Sequence, residues 1–464
     1  RWKLMPDFDQ LEDFIFEKMS ETHLPGLSVA IINDGETIYS RGFGLRDLKY
    51  GLAATAHTLY GIGSVTKSFT ALSIMQLSEK GRLSLNDPVA KYVPLDLKSK
   101  EEPVRIWHLL SHSSGIPALA YAEAFIRYRT GADDKWIPVA THDDLFTFMK
   151  EANQWSLTKP GERWFYLNEG YLILGYIIKK LSGMSYENYV KKNILQPLHM
   201  DRSFFERETV EASSDVATPY IITRDGACKK STYAYGPVSS DGGLISNVHD
   251  LTRYLNMYLD RGKYNKEDTL ASPELINEME KPRAKLPLQI FDGESYGYGL
   301  HIVPDFFGSK LIGHGGSVLV ATAYIGYIPE KRVAIALLAN GSGYPLSQMG
   351  LYGLALIMEK NPEDLPFIKV ERTFELLSGL YETYKGTMKA KVVTKGGLLN
   401  LEIKDKYTDM IIPLIPDNTE NEVKTFYAFQ SGAKLPVEFI VRGEKEVDLI
   451  YERYRFRYVS PLPK

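Results

Sequence analysis

Past residue 360 the sequence changes texture, and that change limits the possible folds more than any other feature. From 381 onward there are eight short apolar or alternating runs, at 381–385, 388–393, 398–403, 410–415, 425–429, 437–441, 447–451 and 454–458. Gly, Asn, Asp and Pro separate them, so each run is bounded by residues that turn the chain. So many short strands in under a hundred residues predict an antiparallel barrel or sandwich; closing so small a sheet would remove its exposed edges and give alternating apolar side chains an interior. Before them lies a polar stretch containing Pro362 and Pro366, which reads as a linker. The predicted organisation is a first domain over 1–360, a linker over 361–374 and an all-β domain over 375–464.

The first domain has strands at both ends and helices between. Leu27, Val29 and Ile31 alternate with smaller residues, and Asn33-Asp34-Gly35 supplies a tight turn before Thr37-Ile38-Tyr39. A second hairpin is predicted from Ala323 to Leu338 around Pro329-Glu330-Lys331. Helical periodicity marks 64–80, 108–112 and 171–180. The class is therefore α+β, an antiparallel sheet packed with helices. At 464 residues, two domains are the default.

A formal charge of -3 gives no reason to expect nucleic acid or anionic lipid as a partner. Cys228 is the single cysteine, which excludes an internal disulfide and fits a reducing, cytoplasmic setting. The first twenty residues, with Asp7, Asp9, Glu12, Asp13 and Glu17, read as an amphipathic surface helix rather than a secretory signal, and no membrane span follows. Only seven glutamines among abundant Lys, Arg and Glu lean towards a thermophilic source.

Chemistry enters at Ser64-Val65-Thr66-Lys67, which opens an apolar helical pattern after Tyr60-Gly61-Ile62-Gly63. Side chains at i and i+3 share a face of the first turn, so a lysine amine can approach the serine hydroxyl. The unpaired N–H groups of a helix start favour developing negative charge nearby. A desolvated, neutral lysine could take the serine proton. Alone, the pattern is weak, because Ser156-Leu157-Thr158-Lys159 repeats it. The plain alternative for Ser64 is a helix cap followed by a surface lysine. Ser156, however, runs into Pro160-Gly161, which breaks a helix, whereas Ser64 precedes a long apolar one.

Further short motifs follow in order: 106–116, 160–168, 239–246 and His314-Gly315-Gly316. With the Ser64 box, this series resembles the serine β-lactamase and penicillin-binding-protein superfamily, in its class-C-like D-peptidase and esterase branch. The resemblance implies Ser64, Lys67 and Tyr166 as catalytic residues, Tyr166 passing the proton between Lys67 and the leaving group. It implies that Asn168 orients Lys67 and the substrate amide, and that His314, Gly315 and Gly316 line the substrate. The backbone N–H groups of Ser64 and Ser317 would form the oxyanion hole. Tyr186-Glu187-Asn188 and Tyr254-Leu255-Asn256 also match the Tyr-x-Asn pattern, so order alone favours Tyr166. His314 stands where many relatives carry Lys, and a neutral His recognises acidic substrates less well, which argues against strong β-lactam hydrolysis.

The expected activity is serine peptidase action through an acyl-enzyme, with exopeptidase cleavage of D-residue peptides favoured. A carboxylesterase with the same machinery is the alternative, and a β-lactamase-like binding protein is the non-enzyme alternative. No cofactor and no metal is expected. His108 and His112 recur at i+4 but lack the glutamate and third ligand of a zinc site. The last ninety residues resemble the lipocalin-like barrel of archaeal and bacterial peptidase-like members, implying homo-oligomer formation or a ligand cavity.

Overall fold

Asp34 and Gly35 both adopt positive φ, 51° and 85°, the two left-handed positions of a tight hairpin turn. That turn joins β1 (Gly26–Asn33) to β2 (Glu36–Asp47). The computed structural model describes residues 8–462 except Lys266 and Asp405, so Asp7 lies outside the described residues. It divides into two compact units, Arg1–Lys360 and Asn361–Lys464.

In the first unit, β3 (Leu52–Ala53), β4 (Ala284–Lys285), β5 (Ser295–Tyr296), β6 (His301–Phe306), β7 (Ser309–Ser317), β8 (Thr322–Ile328) and β9 (Val333–Ala339) complete a nine-stranded antiparallel sheet. Its order is β4-β5-β6-β7-β8-β9-β1-β2-β3. The first and last strands of the sheet in chain order therefore meet in mid-sheet, where β1 pairs with β9 and Ile31 lies opposite Ile335. All seven residues of β9 are buried, as expected of a strand covered on both faces. On one face Ile335 and Leu337 reach α5 (Leu346–Ile357), which packs with α1 (Asp9–Thr22). On the other, Ala334, Ala336 and Leu338 join the larger core with α2 (Thr66–Glu79), α3 (Asn168–Ser182) and α4 (Val248–Leu259).

Helix α2 is buried all round from Thr66 to Leu77, so it is the core's central helix rather than an amphipathic cover. Within that buried run Lys67 is the charged residue, and it is wholly out of water. The i+4 relation of His108 and His112 is not helical. The helix Ile106–Leu110 ends first, and His112 takes a left-handed φ of 56°.

In the second unit, residues 361–374, read from sequence as a linker, contain a turn at Pro362–Asp364 and most of α6 (Pro366–Leu377). Prolines at the first helical positions start such elements rather than break them. Phe374 and Leu377 join the apolar core of that unit. The eight strands β10 (Gly379–Glu382), β11 (Lys389–Lys395), β12 (Leu398–Lys404), β13 (Asp409–Asn418), β14 (Val423–Gln430), β15 (Ala433–Gly443), β16 (Glu446–Tyr451) and β17 (Tyr454–Ser460) close into a barrel. Its interior is occupied by side chains including Tyr381, Leu401, Phe426, Phe439, Leu449 and Phe456, all buried in one cluster. Phe426 and Phe439 meet edge to face at 5.4 Å. Among the described residues, no helix is long and apolar enough to cross a membrane.

Candidate active site

Ser64 sits in the single turn Gly63–Val65 that leads into α2. Gly63 has φ 52°, and a Cβ there would lie 2.7 Å from the Ser317 nitrogen. From the other side, a Cβ on Gly316 would lie 2.0 Å from the Ile62 oxygen. The nucleophile turn and the end of β7 therefore press backbone to backbone, a separation only glycines permit. This approach brings the peptide groups of Ser64 and Ser317 close together.

Lys67 Nζ is 3.1 Å from Ser64 Oγ and donates to the Asp241 backbone oxygen at 2.8 Å. It lies over the Tyr166 ring at 4.9 Å and the Tyr171 ring at 5.5 Å. The backbone oxygen of Asp241 thus holds the lysine, while the expected orienter, Asn168, turns its Nδ2 to Glu123 Oε1 at 3.0 Å. The segment carrying Asp241 is itself fastened to α2. Thr70 Oγ1 donates to the Ser240 oxygen at 2.6 Å, and the Leu244 N–H donates to Thr66 Oγ1 at 3.3 Å. Three residues of one α2 face, at 66, 67 and 70, hold this strap. Burial pushes the Asp241 carboxyl up to about 7, with Lys67 opposing and Glu169 adding to the rise.

Tyr166 is half-buried in an aromatic group with His112, Trp164 and Tyr296. The His112 ring lies 4.1 Å from that of Tyr166, and its Nδ1 accepts the Leu167 N–H at 3.0 Å, which fixes the backbone between Tyr166 and Asn168. Burial holds His112 well below the usual histidine range, so it is neutral. In the sequence the signal for His112 is the motif at 106–116, not the spacing to His108.

His314 is also neutral. Burial lowers its pKa to about 3, although the Gly315 carbonyl opposes this. Its Nδ1 is 2.5 Å from the Gly315 oxygen, which can only accept, so Nδ1 carries the proton. Nε2 then accepts from the Tyr296 hydroxyl at 2.7 Å. Both ring nitrogens are committed within the protein, and His314 supplies neither charge nor a spare hydrogen bond to a ligand.

A cleft of about 670 Å³ gathers Ser64, Tyr166, Asn168, His314, Gly315, Gly316 and Ser317, with Lys67 buried behind it. The competing motifs go elsewhere. Ser156 Oγ bonds the Asn153 oxygen at 2.8 Å, and Lys159 pairs with Glu102 at 2.7 Å. Tyr186 and Tyr254 bond Thr70 and Ser68 inside the core. His108 Nδ1 accepts the Arg105 N–H at 2.9 Å, which makes it a helix-start partner.

Known proteins align with both units. The beta-lactamase family matches residues 11–357, and the Pab87 octamerisation domain matches 362–457. An octameric penicillin-binding protein homologue from Pyrococcus abyssi has 48% identity and a TM-score of 0.92, over 97% of this chain and 99% of that one. Protein flp of Staphylococcus aureus (strain NCTC 8325 / PS 47) is 26% identical over 71% of this chain but only 62% of its own length, less than two thirds. A D-stereospecific amidohydrolase from Streptomyces sp. shares the fold, with TM-score 0.60 and 22% identity over 74% of this chain and 97% of that one.

Proposed function

Because the chain belongs to the beta-lactamase family, we propose that it is a serine hydrolase acting through an acyl-enzyme on Ser64. The favoured substrates are peptides containing D-residues, cut from an end. The observation that carries this reading is the 3.1 Å contact between Lys67 Nζ and Ser64 Oγ at the cleft.

In this mechanism Ser64 Oγ attacks the substrate carbonyl carbon while the Lys67 amine takes the hydroxyl proton. The carbonyl oxygen becomes an oxyanion facing the Ser64 and Ser317 N–H groups, where fixed donors stabilise it without reorganising. Tyr166, whose ring covers Lys67, hands the proton to the leaving amine as the carbon–nitrogen bond breaks. Water then adds to the acyl carbon and Ser64 leaves with a proton, which restores the enzyme. A binding protein would have no use for a buried lysine held against a serine at an open cleft. Profiling wild type and Ser64→Ala against matched D-peptide, L-peptide, ester and β-lactam substrates tests the reading. We expect turnover in wild type alone, fastest on D-peptides. Turnover retained by pure Ser64→Ala contradicts it, and esters cleaved far faster than matched peptides would move the assignment to a carboxylesterase.

The neutral, fully committed His314 supports slow β-lactam turnover. For the second unit we propose a role in self-assembly rather than ligand carriage. The packed barrel interior supports it, as do the octamerisation-domain match and the octameric relative. Light scattering on eluting full-length protein is expected to give an oligomer, and a strict monomer contradicts the role.

A further inference from the structure

If Ser64 forms the acyl-enzyme, the cleft must also choose which end of a peptide it admits. Its described lining holds no lysine or arginine. Of its two histidines, His314 is neutral, and His301 Nε2 faces the buried Glu294 carboxylate at 2.8 Å. A substrate carboxylate would find no uncommitted cation there.

The opposite charge is well provided for. Glu123 lines the cleft from the first turn of helix Tyr121–Thr130, and Asn168 lines it from the start of α3. The two are tied twice. Asn168 Nδ2 donates to Glu123 Oε1 at 3.0 Å, and the neighbouring Glu169 accepts the Tyr121 N–H at 2.8 Å. An amide has one acceptor and two donor hydrogens. Here its nitrogen faces a carboxylate, which fixes its orientation, and its Oδ1 is enclosed with no partner. This wall therefore presents one anionic acceptor, the exposed Glu123 carboxylate, with Asn168 holding it from one side. The Glu169 and Asp241 carboxyls nearby act electrostatically with Glu123, although Lys67 opposes them at Asp241.

We propose that Glu123, held in place by Asn168, forms an amine subsite that receives the free α-ammonium group of the substrate. The enzyme then removes residues from the amino end of a peptide. The N–H donors and positive charge of the ammonium group meet the oxygens and negative charge of the Glu123 carboxylate. An N-acylated substrate would instead turn a carbonyl oxygen towards a carboxylate, so the same wall rejects blocked peptides. The inference rests on Ser64 acyl transfer and adds the direction of attack.

The test compares D-alanine and N-acetyl-D-alanine derivatives, each as p-nitroanilide and methyl ester, so that a preference is measurable under peptidase or esterase chemistry. Wild type is expected to favour the free amine in kcat/KM by roughly ten- to hundredfold, the range for a hydrogen-bonded charge. In Glu123→Gln the preference should collapse. Glutamine still offers Asn168 an acceptor, so a purely positioning role would lower both substrates equally, and that result overturns the proposal. Equal handling of the two substrates by wild type also overturns it, whether or not the variant folds. Turnover surviving in Ser64→Ala would instead remove the acyl-enzyme reading beneath it.

Discussion

Two buried aspartates, one in each unit, are treated in opposite ways. Asp241 and Asp448 are 3% and 2% exposed. Asp241 Oδ1 has no partner, and burial lifts its carboxyl to about 7. Asp448 accepts from Arg442 at 2.7 Å and Arg455 at 2.5 Å, with Arg457 at 3.7 Å. Burial would raise it too, but those hydrogen bonds hold it below the usual carboxylate range. The barrel pairs its buried charge as a scaffold should. The first unit leaves Asp241, Glu169 and Asn168 each with an unsatisfied oxygen, and Asp241 lies beside Lys67, a pattern expected where charge is arranged for chemistry.

The contrast is sharpest at Lys67. Lys67→Met should lower kcat/KM by roughly a hundred- to ten-thousandfold, the scale of a lost general base. Turnover within a few-fold of wild type would break the comparison, since the unsatisfied cluster would then serve nothing. Gly316→Ala must push β7 away from the Ile62 oxygen. A shift near one ångström costs on the order of a hundredfold in rate, read as kcat falling while the protein stays folded by circular dichroism.

The aspartates themselves should respond to pH in opposite senses. The folded-state pKa of Asp241, about 7, exceeds the unfolded value near ~3.9. Its contribution to stability is full below pH ~4 and is lost as pH rises through about 7. Asp448 is depressed, so its contribution is present above pH ~4 and is lost as pH falls through its folded value. Calorimetry should show Asp241→Asn raising the melting temperature more at pH 8 than at pH 5. Asp448→Asn should cost about 1–2 kcal/mol at neutral pH, discounted because the arginines are half exposed. Identical pH responses would erase the distinction. The smallest effect is expected at His314. Since His314 is charged only below about 3, His314→Gln should leave the pH 5–8 profile of kcat/KM unmoved while lowering its height by about tenfold or less.

The barrel was legible because strand period, turn residues and run length agree across 381–458, and all eight runs became strands. The same polarity and prolines concealed α6, although Phe367, Phe374 and Leu377 recur at helical spacing and are buried. In the first unit, the gathering of Ser64, Lys67 and Tyr166 was legible in ordered motifs. What holds them was not. The Asp241 carbonyl, the His112 ring and the Tyr296 hydroxyl come from segments distant in sequence, and a backbone oxygen leaves no trace in residue identity. Glu123 was equally hidden, since its role depends on which way the Asn168 amide faces.

The central claim is that Ser64 accepts the acyl group with Lys67 beside it. Intact-mass spectrometry after exposure to an active-site acylating probe tests it most directly. One adduct mapping to Ser64 is predicted in wild type, with none in Ser64→Ala and much slower labelling in Lys67→Met. An adduct of equal size and rate in folded Ser64→Ala would contradict the account.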